Sequence, residues 1–148
     1  MIRLTVVVLL CGLVLTAGFA NGEEKKYTPI EEFRSSTEMG LMICQLEAKT
    51  AFSKARRGEL QETYSEIDSC LKKQRDDVKK IFSRAHDHVA KKPEASKYLK
   101  EYYAVWLTAL NGILPSENER AIDYERRQGD ASRKAEEAWN RFEIETGL

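Results

Sequence analysis

Apolar positions along this chain recur at spacings of three and four, the period of one helix face, and nowhere in the sustained alternation of a strand. The clearest run is Leu60, Tyr64, Ile67, Leu71, Gln74, Val78, Ile81, Ala85 and His88, which predicts one long helix. Its other faces carry Asp68, Lys72, Asp76 and Lys80, opposite charges four residues apart that support a solvated helix. Lys91-Lys92-Pro93 stops it. Upstream, Leu41, Cys44, Ala48, Ala51, Phe52 and Ala55 predict a helix from about Ser36 to Arg57. It opens at Ser35-Ser36-Thr37-Glu38, which has the spacing of a capping box, and closes at Gly58.

A third helix is predicted from Pro93 to about Leu114, with two apolar stripes. One holds Tyr98, Tyr102, Val105, Ala109 and Ile113, flanked by Leu99 and Trp106; the other holds Tyr103, Leu107, Leu110 and Leu114. A helix so apolar must be covered on more than one side, either by a central place in the bundle or by a partner. Pro115 ends it, and Ser116-Glu117-Asn118-Glu119 offers a second capping box for a fourth helix. That helix carries Ala121, Tyr124, Ala131, Ala135, Ala138, Trp139 and Phe142 on one face, and the polar stretch before Asp130 predicts a kink or exposed segment near Gly129. The fold class is therefore all-α, an antiparallel bundle of three to four helices.

Residues 35–148 form this single helical domain, and residues 21–34 read as a flexible leader. The first twenty residues read differently. An apolar run from Leu4 to Leu15, preceded by Arg3 and followed by Ala17-Gly18-Phe19-Ala20, has the make-up of a cleaved signal peptide. It is shorter than the roughly 20 apolar residues a membrane span requires, and Leu10 before Cys11 does not suit a lipoprotein site. The expectation is an exported protein, periplasmic or extracellular, with no stable membrane anchor.

Export changes how the cysteines are read. Beyond the signal, Cys44 and Cys70 are the only two, and in an oxidising compartment they pair. They lie at about equal distances before and after Arg57-Gly58, so an antiparallel hairpin sets them at one level, with Ala48 and Ala51 small enough for close approach. The disulfide staples the first hairpin. A catalytic dithiol would favour Cys-x-x-Cys, which is absent.

Charge narrows the partners. Lys and Arg total 24 and Asp and Glu total 24, which removes the uncompensated cationic surface that nucleic-acid binding or a polybasic membrane contact requires. Candidate chemistry is sparse. His86 and His88 point about 200° apart on a helix and cannot share a metal ion; His88 is expected at the bundle edge and His86 in solvent. Met39 and Met42 suggest a haem ligand only weakly, without Cys-x-x-Cys-His, and read as core filler. No catalytic residue, metal site or cofactor is assigned. The charged run from Glu119 to Lys134, with Arg126-Arg127, reads as a solvated face.

One constellation remains, the aromatic surface of the third helix. Tyr103, Leu107 and Leu110, with Tyr102 and Trp106, are the candidate partner-binding residues, because aromatic side chains anchor interfaces. The function expected is a helical protein-binding module of the cell envelope, such as an inhibitor, an immunity-type factor or an accessory subunit, acting on a protein partner or by self-association. The alternative is a chaperone or stress protein that holds unfolded envelope proteins. An enzyme or small-molecule carrier would need a concave pocket lined by the aromatics.

Overall fold

A computed structural model describes residues 26–55, 57–58, 63–116 and 119–147. The expected signal peptide, Leu60 of the second helix, and Glu117 and Asn118 lie outside the described residues. Among the described residues there are four helices: α1 (Pro29–Ala55), α2 (Thr63–Val89), α3 (Pro93–Asn111) and α4 (Ala121–Thr146). Among the described residues there is no strand, and no helix is long and apolar enough to cross a membrane.

Side-chain pairs fix the topology. Cys44 and Cys70 are bonded, with Cα atoms 5.7 Å apart, so α1 and α2 run antiparallel about the turn at Arg57-Gly58, where Gly58 takes a φ of 85° open to glycine at little cost. Arg75 meets Asn111 and His86 meets Ser96, which sets α2 antiparallel to α3. Gln128 meets Gly112 and Trp139 meets Tyr102, which sets α3 antiparallel to α4. The bundle is thus up-down-up-down. On the chain-entropy model, a cross-link closing a loop of this length stabilises the fold by roughly 3 kcal/mol.

The helix boundaries depart from the sequence reading in three places. α1 begins at Pro29, so residues 29–34 of the expected leader are helical. The capping box is Thr28 with Glu31: the Thr28 amide donates to Glu31 Oε2 at 2.8 Å and the Glu31 amide donates to Thr28 Oγ1 at 3.2 Å. Pro29 fits the first helical position because its missing N–H has no intrahelical partner to lose. Ile30 and Phe33 are buried, and their burial draws this turn onto the bundle.

α3 ends at Asn111, before Leu114, because Gly112 and Ile113 turn back to donate to Thr108 O and Leu110 O. α4 starts at Ala121. The Ser116–Glu119 contact exists, with the Ser116 amide donating to Glu119 Oε2 at 3.0 Å, but it closes a turn ahead of the helix. α4 then runs unbroken through Gly129, which is exposed as expected but neither breaks nor ends the helix. Gln128 turns inward, buried, and its side-chain amide donates to Gly112 O at 2.6 Å, so the polar stretch is anchored at the end of α3.

At the centre, Thr37 is fully buried and ties α1 to α3, and Arg34 one turn before it reaches α4. Its hydroxyl donates to Arg34 O at 2.7 Å, which leaves Tyr102 O–H to donate to Thr37 Oγ1 at 2.5 Å. Trp106 Nε1 donates to Thr37 O at 2.8 Å. Arg34 lies over the Trp139 ring at 4.9 Å and pairs with Glu38 of α1 and Glu136 of α4. Burial raises the pKa of Tyr102, against the opposing pull of Thr37 and Arg34, so the phenol remains a donor.

Two outcomes follow from this core. Thr37→Val strands the Tyr102 hydroxyl and should cost about 1–3 kcal/mol in chemical denaturation. Tyr124 is buried with no partner at its hydroxyl, and burial, against Arg127, raises its pKa from 10.0 to about 12. The unfolded chain therefore ionises this phenol first. Its contribution is complete below about pH 10 and is lost as pH rises towards 12; Tyr124→Phe should flatten that alkaline loss.

Candidate docking face

The residues expected to bind a partner are mostly spent on the core. Tyr102, Trp106 and Leu110 are at most 1% exposed. Tyr103 is half-buried, its ring stacked on Phe82 at 4.2 Å and on Trp106 at 5.9 Å. Leu107 packs against the same core. Tyr103 of the second stripe is thus covered by Phe82 of α2, whereas Leu114 at the end of the stripe is exposed. The sequence left two ways to cover this stripe open, and the central place in the bundle is the one realised.

On α2, Ile67, Leu71, Val78 and Ala85 are buried as the stripe predicts, but Tyr64 at its start and His88 at its end are exposed. Val89 takes the inward place at the end of the helix. This phase also reverses the two histidines. His86 is half-buried and its Nε2 lies 2.9 Å from Ser96 Oγ, while His88 faces solvent.

The charged run of α4 pairs mainly with itself. Arg120 bonds Asp123 at 2.5 Å, and Arg133 bonds Asp130 at 3.2 Å and Glu137 at 2.9 Å. Arg127 is the exception: it folds back to pair with Glu119 at 2.7 Å and donates to the carbonyls of Gly112 and Leu114, closing the end of α3. A groove of about 440 Å³ runs between α3 and α4, floored by Val105, Ala109 and Ala131. The aromatics do not line it, contrary to what a small-molecule carrier was expected to need.

Among the described residues, Tyr64, Leu114, Ile122 and Ile144 are exposed singly, and the clustered apolar surface lies on α1. Leu41, Cys44, Ala48 and Ala51 face the core as the sequence predicts. On the opposite side, Met39, Met42, Ile43 and Leu46 are exposed by 52, 62, 38 and 65%. Their spacing of three, four and seven makes them neighbours on one helix face. The two methionines are therefore surface residues, not core filler. Ser35, Thr50 and Ser53 continue the same line, and no charged residue interrupts its centre. Shallow grooves between α1 and α2 flank it, meeting at Ile43, Lys73 and Gln74; on the other side Met42 borders a smaller hollow with Glu38, Ser132 and Glu136.

A helix apolar on both faces is covered on both or presents one for association. The signal was present in the sequence as Met39, Met42, Ile43 and Leu46, masked by the stronger inward stripe of the same helix. Methionine adapts its shape to what it meets, which suits an exposed contact surface.

Substitution separates the two surfaces. Met42→Glu and Leu46→Glu should leave stability within about 0.5 kcal/mol, whereas Leu110→Ala should cost about 2–5 kcal/mol, both read by thermal and urea unfolding. Compared with protein-family models, with curated proteins and with solved structures, this chain matches none.

Proposed function

We propose that this chain is an exported, non-enzymatic protein-binding module of the cell envelope, docking through the outer face of α1. The observation that carries the reading is the exposed cluster of Met39, Met42, Ile43 and Leu46. Together these side chains expose on the order of 400 Å² of mostly apolar surface, within the range of the largest patches on monomers, which are often functional. Water contact at such a patch is unfavourable by roughly 25 cal/mol per Å², so covering it supplies a driving force for association.

Export is supported by two independent features. The apolar run from Leu4 to Leu15 has the composition of a signal peptide, and disulfides such as Cys44–Cys70 persist in oxidising compartments. The disulfide also bears on the face itself. Cys44 is bonded on the inner side of the same α1 segment, so the cross-link holds Met42, Ile43 and Leu46 in place against α2. A preordered face loses less conformational entropy on binding.

A second reading is a holding chaperone for unfolded envelope proteins. It is favoured by the pair of methionines, since flexible Met-rich surfaces accept many partners. The two readings differ in breadth of capture.

A photo-crosslinking residue at position 42 tests them in the native envelope, with the same residue at Arg133 on the charged face as control. One or a few partners captured at 42 and not at 133 are expected for a module. Broad capture of unfolded clients would favour the chaperone, and equal capture at both positions would remove α1 as the docking face.

A further inference from the structure

We propose that the occupant of the α1 face is a second copy of this chain, packed antiparallel about a two-fold axis between Met42 and Ile43. The inference rests on reading that face as a docking surface and names what it docks.

The outward line of α1 is self-complementary about that point. Met39 and Leu46 lie equally far from it along the helix, as do Ser35 and Thr50. An antiparallel two-fold operation therefore sets Met39 against Leu46 of the second copy and Ser35 against its Thr50. Near the axis, Met42 meets Met42 on one flank and Ile43 meets Ile43 on the other. A closed pair needs this kind of isologous match, in which one patch serves both partners. The uncharged line from Ser35 to Ser53 is about 27 Å long at 1.5 Å per residue, enough for an extended helix–helix contact.

Charge on the flanks agrees with the antiparallel sense. Glu38 and Lys49 are exposed on one flank, and Glu32 and Lys54 lie on the other; within the chain Glu38 also pairs with Arg34, Glu32 with Arg84 and Lys54 with Glu66, so a second copy would extend these pairs rather than meet free charges. The operation brings each glutamate within about one turn of the opposing lysine on the same flank, giving four opposite-charge approaches per dimer. Like charges are kept apart: the two copies of Glu38 fall about 13 Å apart along the axis. A parallel pair would instead set the acidic first turns, Glu31 and Glu32, of both copies side by side.

Area sets the strength. The patch offers about half of the ~800 Å² that each partner buries in a stable interface, so flanking polar residues complete the contact and the dimer is weak and reversible. In such a contact Met42 and Leu46 are the central anchors, and a buried glutamate there is opposed by apolar side chains of the other copy.

Sedimentation equilibrium of the purified, disulfide-intact chain from about 1 to 200 μM tests the pairing. A reversible monomer–dimer equilibrium is expected. Met42→Glu combined with Leu46→Glu should weaken it by at least ~100-fold, with helical circular dichroism and melting temperature retained. Register is read from cysteines on the face: Met39→Cys and Leu46→Cys chains should cross-link when mixed. Neither should cross-link alone, because like positions lie about 10 Å apart along the axis, beyond disulfide reach.

A chain monomeric throughout, a dimer indifferent to the double variant, or either cysteine variant cross-linking efficiently alone would overturn the proposal. If the chain is monomeric while position 42 captures a different protein, self-pairing falls and the docking reading stands. If position 42 captures nothing, both fall.

Discussion

Thr37 is the point at which α1 and α3 are locked together. A threonine inside a helix has one hydroxyl proton, and here it goes to the carbonyl of Arg34 on its own helix. That leaves the oxygen free to accept from Tyr102, and the Thr37 carbonyl free to accept from Trp106. Both aromatic donors come from α3, one turn apart, so the relative height and rotation of α1 and α3 are fixed by two directional bonds between buried groups. Arg34, on the same turn, extends the lock to α4 through Glu136 and the face of Trp139. Apolar packing alone would permit small slips along the helix axes at little cost; buried polar groups do not, because a slip leaves them unpaired.

This lock explains why the aromatic side chains of α3 are buried or half-buried rather than exposed. With Tyr102 and Trp106 committed to α1, the opposite stripe of α3 is turned towards α2, where Phe82 stacks on Tyr103. The most aromatic helix becomes the best covered. The cost falls on α1, which has one apolar face on the core and another left in water.

Much of the architecture was legible in the sequence because its causes are local. The stripe of α2, the stop at Pro93, the turn at Gly58 and the equal spacing of Cys44 and Cys70 about that turn depend on periodicity and chain geometry within one hairpin. Where the structure departs from the sequence pattern, local competitions are decided by distant contacts. Ser35-Ser36-Thr37-Glu38 and Thr28-Pro29-Ile30-Glu31 both have capping-box spacing; the second is used because Ile30 and Phe33 find a core to enter and Thr37 is required inside the helix. Gly129 does not break α4 because Gln128 and Arg127 on the preceding positions are tied to the end of α3.

The sequence by itself determined that the chain is helical, that it forms a bundle of three to four helices, where most of them stop, and which two cysteines meet. Those properties follow from the 3.6-residue period, from proline and glycine, and from the length of one hairpin. Only the tertiary structure decided which apolar faces are covered. Both α1 and α3 carry apolar residues around much of their circumference, and periodicity shows that such faces exist without showing what lies against them. The neighbours of each helix settle that, and they are set by contacts between residues such as Thr37 and Trp106, far apart in the chain.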